Sequence, residues 1–293
     1  MMLRTASMPL TQCLAALLFS LLAGPAAAQA PAAPASTPAV APPPVAKVEV
    51  KELIPAHPWV VPAPSLEPLA YFTNIEDGAK RDSPFVVRFG LSMRGVVPAG
   101  QVAGTAGHHH LLIDQPLPLD FKKPIPFTEH YKHFGQGQME SVVDLPPGRH
   151  TLRLLLADQA HIPFFVYSKP ITITVEKQNK GVKPEAVTGP PHIEVLSPAD
   201  GATVNAPFRI QFHASGYDIS HAAPRLSDTG HFRLTLERTG PNQKPEVIEF
   251  DGGQTEAWLK PPKGSYSVRL DLVSNTDANK LVAHAKPLNL TVP

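Results

Sequence analysis

Along most of this chain the apolar residues fall on every second position. Leu152-Arg153-Leu154, Ile171-Thr172-Ile173-Thr174-Val175, Tyr266-Ser267-Val268-Arg269-Leu270-Asp271-Leu272 and Leu288-Asn289-Leu290-Thr291-Val292 all alternate in this way. A period of two sets successive side chains on opposite faces of an extended strand, one face apolar and one polar. The runs are short and are punctuated by Pro and Gly turns such as Pro146-Pro147-Gly148, and no stretch after residue 28 sustains an amphipathic helix. Many short strands at close spacing predict an antiparallel β-sandwich, with an immunoglobulin-like arrangement favoured.

The pattern occurs twice. Asp77-Gly78-Ala79 with Pro84-Phe85 matches Asp200-Gly201-Ala202 with Pro207-Phe208, and Gly107-His108 matches Gly230-His231, an offset of about 123 residues. Gly137-Gln138-Met139-Glu140 matches Gly253-Gln254-Thr255-Glu256, and Arg153-Leu154 matches Arg269-Leu270, an offset now of about 116 residues. The first copy therefore carries a longer loop before its Gly-Gln-x-Glu. Two tandem sandwich domains are expected, residues 65–177 and 192–293, joined by a polar linker over 178–191.

The copies differ in their histidines. Gly107-His108-His109-His110-Leu111-Leu112-Ile113-Asp114 corresponds to Gly230-His231-Phe232-Arg233-Leu234-Thr235-Leu236-Glu237. Phe232, Leu234 and Leu236 must face the core of their strand, so His109, Leu111 and Ile113 point inward and His108 and His110 outward. By the same logic His150 stands in the place of Tyr266 as a structural residue.

Suppose the strand from Glu140 to Leu145 forms a hairpin with the one from Thr151 to Ala157, and the triple-histidine strand lies antiparallel beside the latter. The start of the triple-histidine strand, the segment reaching Asp158 and His161, and the approach to Gly137 with His130 and His133 then fall at one end. The intervening loop, 115–136, is long enough to return there, since extended chain spans roughly 3.3 Å per residue.

Clustered imidazoles suit zinc or copper(II). Alternate strand positions such as His108 and His110 reach a single ion, and further ligands are sought among His133, His161, His130 and Asp158. Glu140 is a weaker candidate as a general base, because Glu256 fills the same place in the histidine-poor copy. Ser141 and Ser168 lack the context of a nucleophile, and Gly135-Gln136-Gly137 has no following helix to present to a phosphate. No catalytic residues are assigned, and an enzyme is the less favoured reading.

Composition adds an address. Arg4, the apolar run from Leu14 to Leu22 and the small residues ending Ala26-Ala27-Ala28 read as a secretory signal peptide over 1–28, too short for the roughly 20 apolar residues of a membrane span. Residues 29–64, rich in Ala and Pro, read as a disordered spacer with a reach of about 3.1 Å per residue where stiff. The single cysteine, Cys13, leaves with the signal peptide, so disulfides and thiolate ligands are excluded from the mature chain. Losing Arg4 turns 26 basic and 25 acidic residues into 25 of each, which gives no sign of a nucleic-acid partner or of membrane insertion by the mature chain.

On Gly107 to Asp114, His130, His133 to Glu140, Leu145 to Leu152, Asp158 and His161-Ile162-Pro163, the chain resembles the domain-of-unknown-function family numbered 4399. The match covers most of the first domain; the second shares only the framework. The resemblance implies an exported β domain with recurrent histidines and brings no settled activity. His150 belongs to the family's pattern, while Phe164 stands where members often carry a further histidine. The expected function is a periplasmic module that binds copper or zinc. The alternative is a non-enzymatic envelope protein that contacts another protein or a glycan and whose histidines are structural.

Overall fold

The computed structural model describes residues 55–118 and 120–293; the expected signal peptide and the spacer as far as residue 54 lie outside them. After a short strand β1 (Val60–Val61), the first repeat contains β2 (Leu69–Phe72), β3 (Lys80–Ser83), β4 (Phe85–Ser92), β5 (His108–Ile113), β6 (Tyr131–Phe134), β7 (Glu140–Val143), β8 (Gly148–Ala157), β9 (Pro163–Tyr167) and β10 (Ile171–Gln178). The second contains β11 (His192–Ser197), β12 (Ala202–Thr203), β13 (Phe208–Ser215), β14 (Asp218–Ile219), β15 (Thr229–Arg238), β16 (Glu246–Glu249), β17 (Glu256–Leu259), β18 (Gly264–Ser274), β19 (Leu281–His284) and β20 (Leu288–Val292). One helical turn, α1 (Pro184–Thr188), lies in the connecting segment.

Each repeat is a two-sheet sandwich with the immunoglobulin order. In the first, β2-β4-β7 faces β3-β10-β8-β5-β6, and in the second, β11-β13-β17 faces β12-β20-β18-β15, with β16 continuing beyond β15. In both, the short strand after the first switches sheets and pairs in parallel with the last, β3 with β10 and β12 with β20. Alternation supplies the core: Tyr266, Val268, Leu270 and Leu272 on β18, and Leu152, Leu154 and Leu156 on β8, are all buried. The Tyr266 hydroxyl donates to the Pro262 carbonyl at 2.6 Å, the tyrosine corner of this fold. His150 takes that place in the first repeat, with Nε2 2.9 Å from the Pro146 carbonyl and Nδ1 2.7 Å from Asp114.

Two local expectations are corrected. The hairpin through Pro146-Pro147-Gly148 does not form: β7 pairs with β4, while β8 pairs with β5 and β10. Two consecutive prolines offer no N–H to a ladder, and the link arches between sheets instead. The end of the presumed spacer is structured: Val60 and Val61 pair with Leu259 and Trp258, adding β1 to the second repeat's smaller sheet.

The Gly-Gln-x-Glu elements join the repeats. Glu140 accepts from Ser215 at 2.5 Å and from His213 at 3.0 Å, and Arg88 lies 3.4 Å away. Glu256 in turn accepts from the Tyr71 hydroxyl at 2.5 Å. Gly137, at φ 107°, lets Ile219 donate to its carbonyl at 2.9 Å, and Gly253, at φ 72°, does the same for Val96 at 2.9 Å. A Cβ at either glycine would lie within 2.3 Å of the partner's carbonyl oxygen, so the motif that exposed the repeat serves the joint between its copies.

Candidate metal centre

The centre is built on β5. Its antiparallel register sets His108 opposite Ala157 on β8 and His110 opposite His133 on β6. His133 has room because residue 135 is Gly: a Cβ there would lie 2.2 Å from the His133 ring. His161 enters from the loop after β8, at φ 63°. The Asp158 carboxylate holds that loop, accepting from the Ala160 amide at 2.8 Å and the Ile162 amide at 2.9 Å.

One nitrogen from each of His108, His110, His133 and His161 lies within 4.8 Å of the others, a group that can hold a metal ion. His108 Nε2 is 3.1 Å from both His161 Nδ1 and His110 Nε2. No acidic side chain belongs to the group. His108 Nδ1, His110 Nδ1 and His133 Nε2 are buried with no protein hydrogen-bond partner. Burial, followed by the neighbouring imidazoles, pushes the His108 pKa down to about 3 and that of His110 to about 2. His133 is lowered by the same two causes. Neutral rings with free lone pairs are the form that ligates metals.

The outward direction of His108 and His110 does not bring them to solvent: both are 0 % exposed. The segment between β5 and β6 folds over the outer face of the sheet, where Leu117, Phe121, Ile125 and Tyr131 pack on Leu112, Leu155 and Ala157 as a small second core. Its Ile125 amide donates to the His161 carbonyl at 2.9 Å. Phe127, itself exposed, sets its ring edge-on to His133 and His161, with centroids 5.1 and 4.7 Å away. These cover residues were not among the sequence candidates, since they follow no strand period.

Two candidates stand apart from the group. His130 lies opposite the far part of β5, its Nδ1 3.1 Å from the Ile113 carbonyl. Asp158 is occupied with the turn that presents His161.

The second repeat fills the same positions with charge pairs. Arg233 lies opposite Glu249 in the register that holds His110 opposite His133, and its Nε is 2.5 Å from the carboxylate. His231, the counterpart of His108, has Nε2 3.3 Å from Glu249 and Nδ1 2.6 Å from Asn275. One copy thus satisfies this sheet edge with a carboxylate, a guanidinium and an imidazole. The other collects four imidazoles.

Fold and site define a tandem of immunoglobulin-like sandwiches with a four-histidine cluster in one member. The model of the domain of unknown function DUF4399 matches residues 87–176 and again 210–293, and the chain belongs to that family. Among curated proteins none matches the chain. Similar solved structures include the fibronectin(III)-like modules of Clostridium thermocellum CbhA, at 10% identity and TM-score 0.25 over 76% of this chain and 93% of that one. Others are the chicken CNTN1 FN1-FN3 domains, at 6% and 0.21 over 77% and 65%, and the chicken interferon gamma receptor alpha chain, at 10% and 0.22 over 78% and 100%.

Proposed function

We propose that this chain is an exported, periplasmic metal-handling module whose first repeat holds a copper or zinc ion through His108, His110, His133 and His161. The observation that carries this reading is the convergence of four imidazoles at a place where the second repeat carries an Arg–Glu–His set. His108 Nε2 faces His110 Nε2 and His161 Nδ1 at 3.1 Å contacts with no carboxylate among them, an arrangement of ring nitrogens that suits a shared ion. Export is inferred from the signal-like residues 1–28. The cysteine-free remainder suits an oxidising compartment, where a nitrogen site avoids thiolate oxidation.

Metal titration of the mature protein tests the reading, with His108→Ala and His110→Ala as controls. One equivalent of zinc or copper is expected to bind the parent tightly and each variant, with one ligand gone, far more weakly; tight stoichiometric binding that survives both changes would sink the site. Recovery of a chain beginning at Gln29 from the periplasmic fraction tests the address.

A second reading, contact with an envelope protein or glycan, is favoured by one observation beside the centre. Phe121 and Phe165 stack with centroids 4.6 Å apart and planes 3° from parallel, and Phe165 remains 79 % exposed. Exposed aromatics of this kind supply contact area at interfaces. Loss of envelope retention on Phe165→Ala, with metal binding intact, would separate the two readings.

A further inference from the structure

The placement of the four rings says which coordination they suit. In a tetrahedral zinc site with Zn–N near 2.0–2.1 Å, each imidazole centroid lies about 3.2 Å from the ion, so every pair of centroids is about 5.2 Å apart. A square-planar copper(II) site built from the same rings has four separations of about 4.5 Å and two of about 6.4 Å. The observed separations are 5.0 Å for His108–His110, 4.9 Å for His108–His133 and 5.0 Å for His108–His161. The remaining three are 5.1 Å for His110–His133, 5.9 Å for His110–His161 and 4.8 Å for His133–His161. Five of six agree among themselves to within a few tenths of an ångström, and only one is long, where a plane requires two. The ring centroids occupy the corners of a slightly stretched tetrahedron, while the donor nitrogens spread over up to 4.8 Å, wider than the roughly 3.3 Å between donors of a tetrahedral zinc site, so the set has to draw in on an ion.

Four protein ligands fill a tetrahedron, leaving no position for water or substrate, which is the mark of a structural rather than a catalytic zinc site. Copper(I) shares the geometry but prefers thiolate or thioether donors, and the group contains imidazoles only. The ligands also come from three separated segments: β5, β6 and the loop after β8. An ion held there cross-links them much as a disulfide would, in a chain with no cysteine after Cys13.

Resting on the metal-binding reading above, we infer that the four-histidine cluster is a closed tetrahedral zinc staple, not a planar copper(II) centre and not an open catalytic site. Its role is to lock the β5–β6 cover segment, and with it the aromatic face of Phe121 and Phe127, onto the sheet.

Cobalt(II), a spectroscopic substitute for zinc, tests this in the mature protein. One equivalent is expected to give the intense visible bands of four-coordinate cobalt, unchanged by excess azide, while His161→Ala, which opens one corner, is expected to give a spectrum that shifts with azide. Weak six-coordinate bands, or azide sensitivity in the parent protein, would overturn the closed tetrahedron and leave metal binding standing. Failure of native mass spectrometry to detect either a zinc or a cobalt adduct would overturn both.

Discussion

His109 packs on Phe89 with ring centroids 5.3 Å apart and planes tilted by 47°, and the corresponding pair in the second repeat, Phe232 on Phe212, has a separation of 5.3 Å and a tilt of 46°. The middle histidine of the triplet therefore fills a phenylalanine's place in the core. It does so poorly, because both of its ring nitrogens are buried without a partner.

His109→Phe is accordingly expected to stabilise the protein. Removing an unsatisfied buried polar group recovers about 1–3 kcal/mol, and the second repeat shows that the fold accommodates the larger ring. Urea unfolding should show a higher midpoint, while the metal stoichiometry stays as in the parent. A variant that lost its metal would instead place His109 among the functional residues.

The cover segment should respond to the ion. Ile125 donates to the carbonyl of His161, and Phe127 rests on two of the rings, so fixing His161 fixes the segment above it. Saturating zinc at about 100 times its dissociation constant stabilises a protein by about 2.7 kcal/mol. Hydrogen exchange on the proteolytic peptide containing Ile125 is expected to slow on adding zinc, and exchange around β20, in the other repeat, to change less. Equal slowing at both would mean that the ion stabilises the whole unit without a special hold on this segment.

What the chain discloses about itself follows from range. The period of two from Tyr266 to Leu272 is a local property and fixes both strand and facing without knowledge of the partner strands. The second copy extends this reach: Phe232 reveals the inward face of His109, and Tyr266 marks His150 as a structural residue, whose corner bond to the Pro146 carbonyl only the structure shows. The burial of His108 and His110 was not legible, because Leu117, Phe121, Ile125 and Phe127 sit at no regular spacing and their packing depends on a loop closing over a sheet. Nor did Glu140 show its partners: His213 and Ser215 lie in the other repeat, and only the recurrence of the glutamate as Glu256 hinted at a structural task. The Pro-Pro-Gly link misled for a related reason, since a turn-forming sequence does not say whether it closes a hairpin or crosses between sheets.

The joint between repeats yields a third expectation. Glu140 is held below the usual carboxylate range: burial works against this, but hydrogen bonds from His213 and Ser215 and the charges of His213 and Arg88 outweigh it. Burial also lowers the pKa of His213. Glu140→Ala would leave His213 and Ser215 without their acceptor, while Arg88 keeps Glu194 at 2.7 Å, at a cost of about 1–3 kcal/mol as for other buried polar groups left unsatisfied. Thermal unfolding should fall markedly, and a single transition should separate into two as the repeats lose their coupling. The joint should weaken in acid for two reasons. A carboxylate with a depressed pKa contributes above its unfolded value near 4.5 and loses that contribution as pH falls through its folded value. A histidine kept neutral when folded is protonated first in the unfolded chain as pH drops below 6.5.

The second repeat's charge set predicts the opposite sign for one histidine. Burial lowers the affinity of His231 for a proton, yet its hydrogen bonds to Glu249 and Asn275 and the charges of Glu249 and Asp251 prevail, so its pKa lies above the ordinary 6.5. Glu249 is depressed in return, with burial opposing and the bonds from His231 and Arg233 prevailing. A raised histidine stabilises the fold fully below its unfolded pKa and loses that contribution as pH rises through the folded one. A lowered glutamate stabilises above its unfolded pKa and loses that contribution in acid. Both contributions are whole only between about pH 4.5 and 6.5. Proton NMR of the ring signals should give a His231 midpoint above 6.5, and Glu249→Gln should bring it down by removing the carboxylate charge. A midpoint that ignored Glu249→Gln would show that the Asn275 and Asp251 side alone holds the proton, and with it that the pair opposite the four-histidine cluster is not the charge-compensated counterpart that its geometry describes.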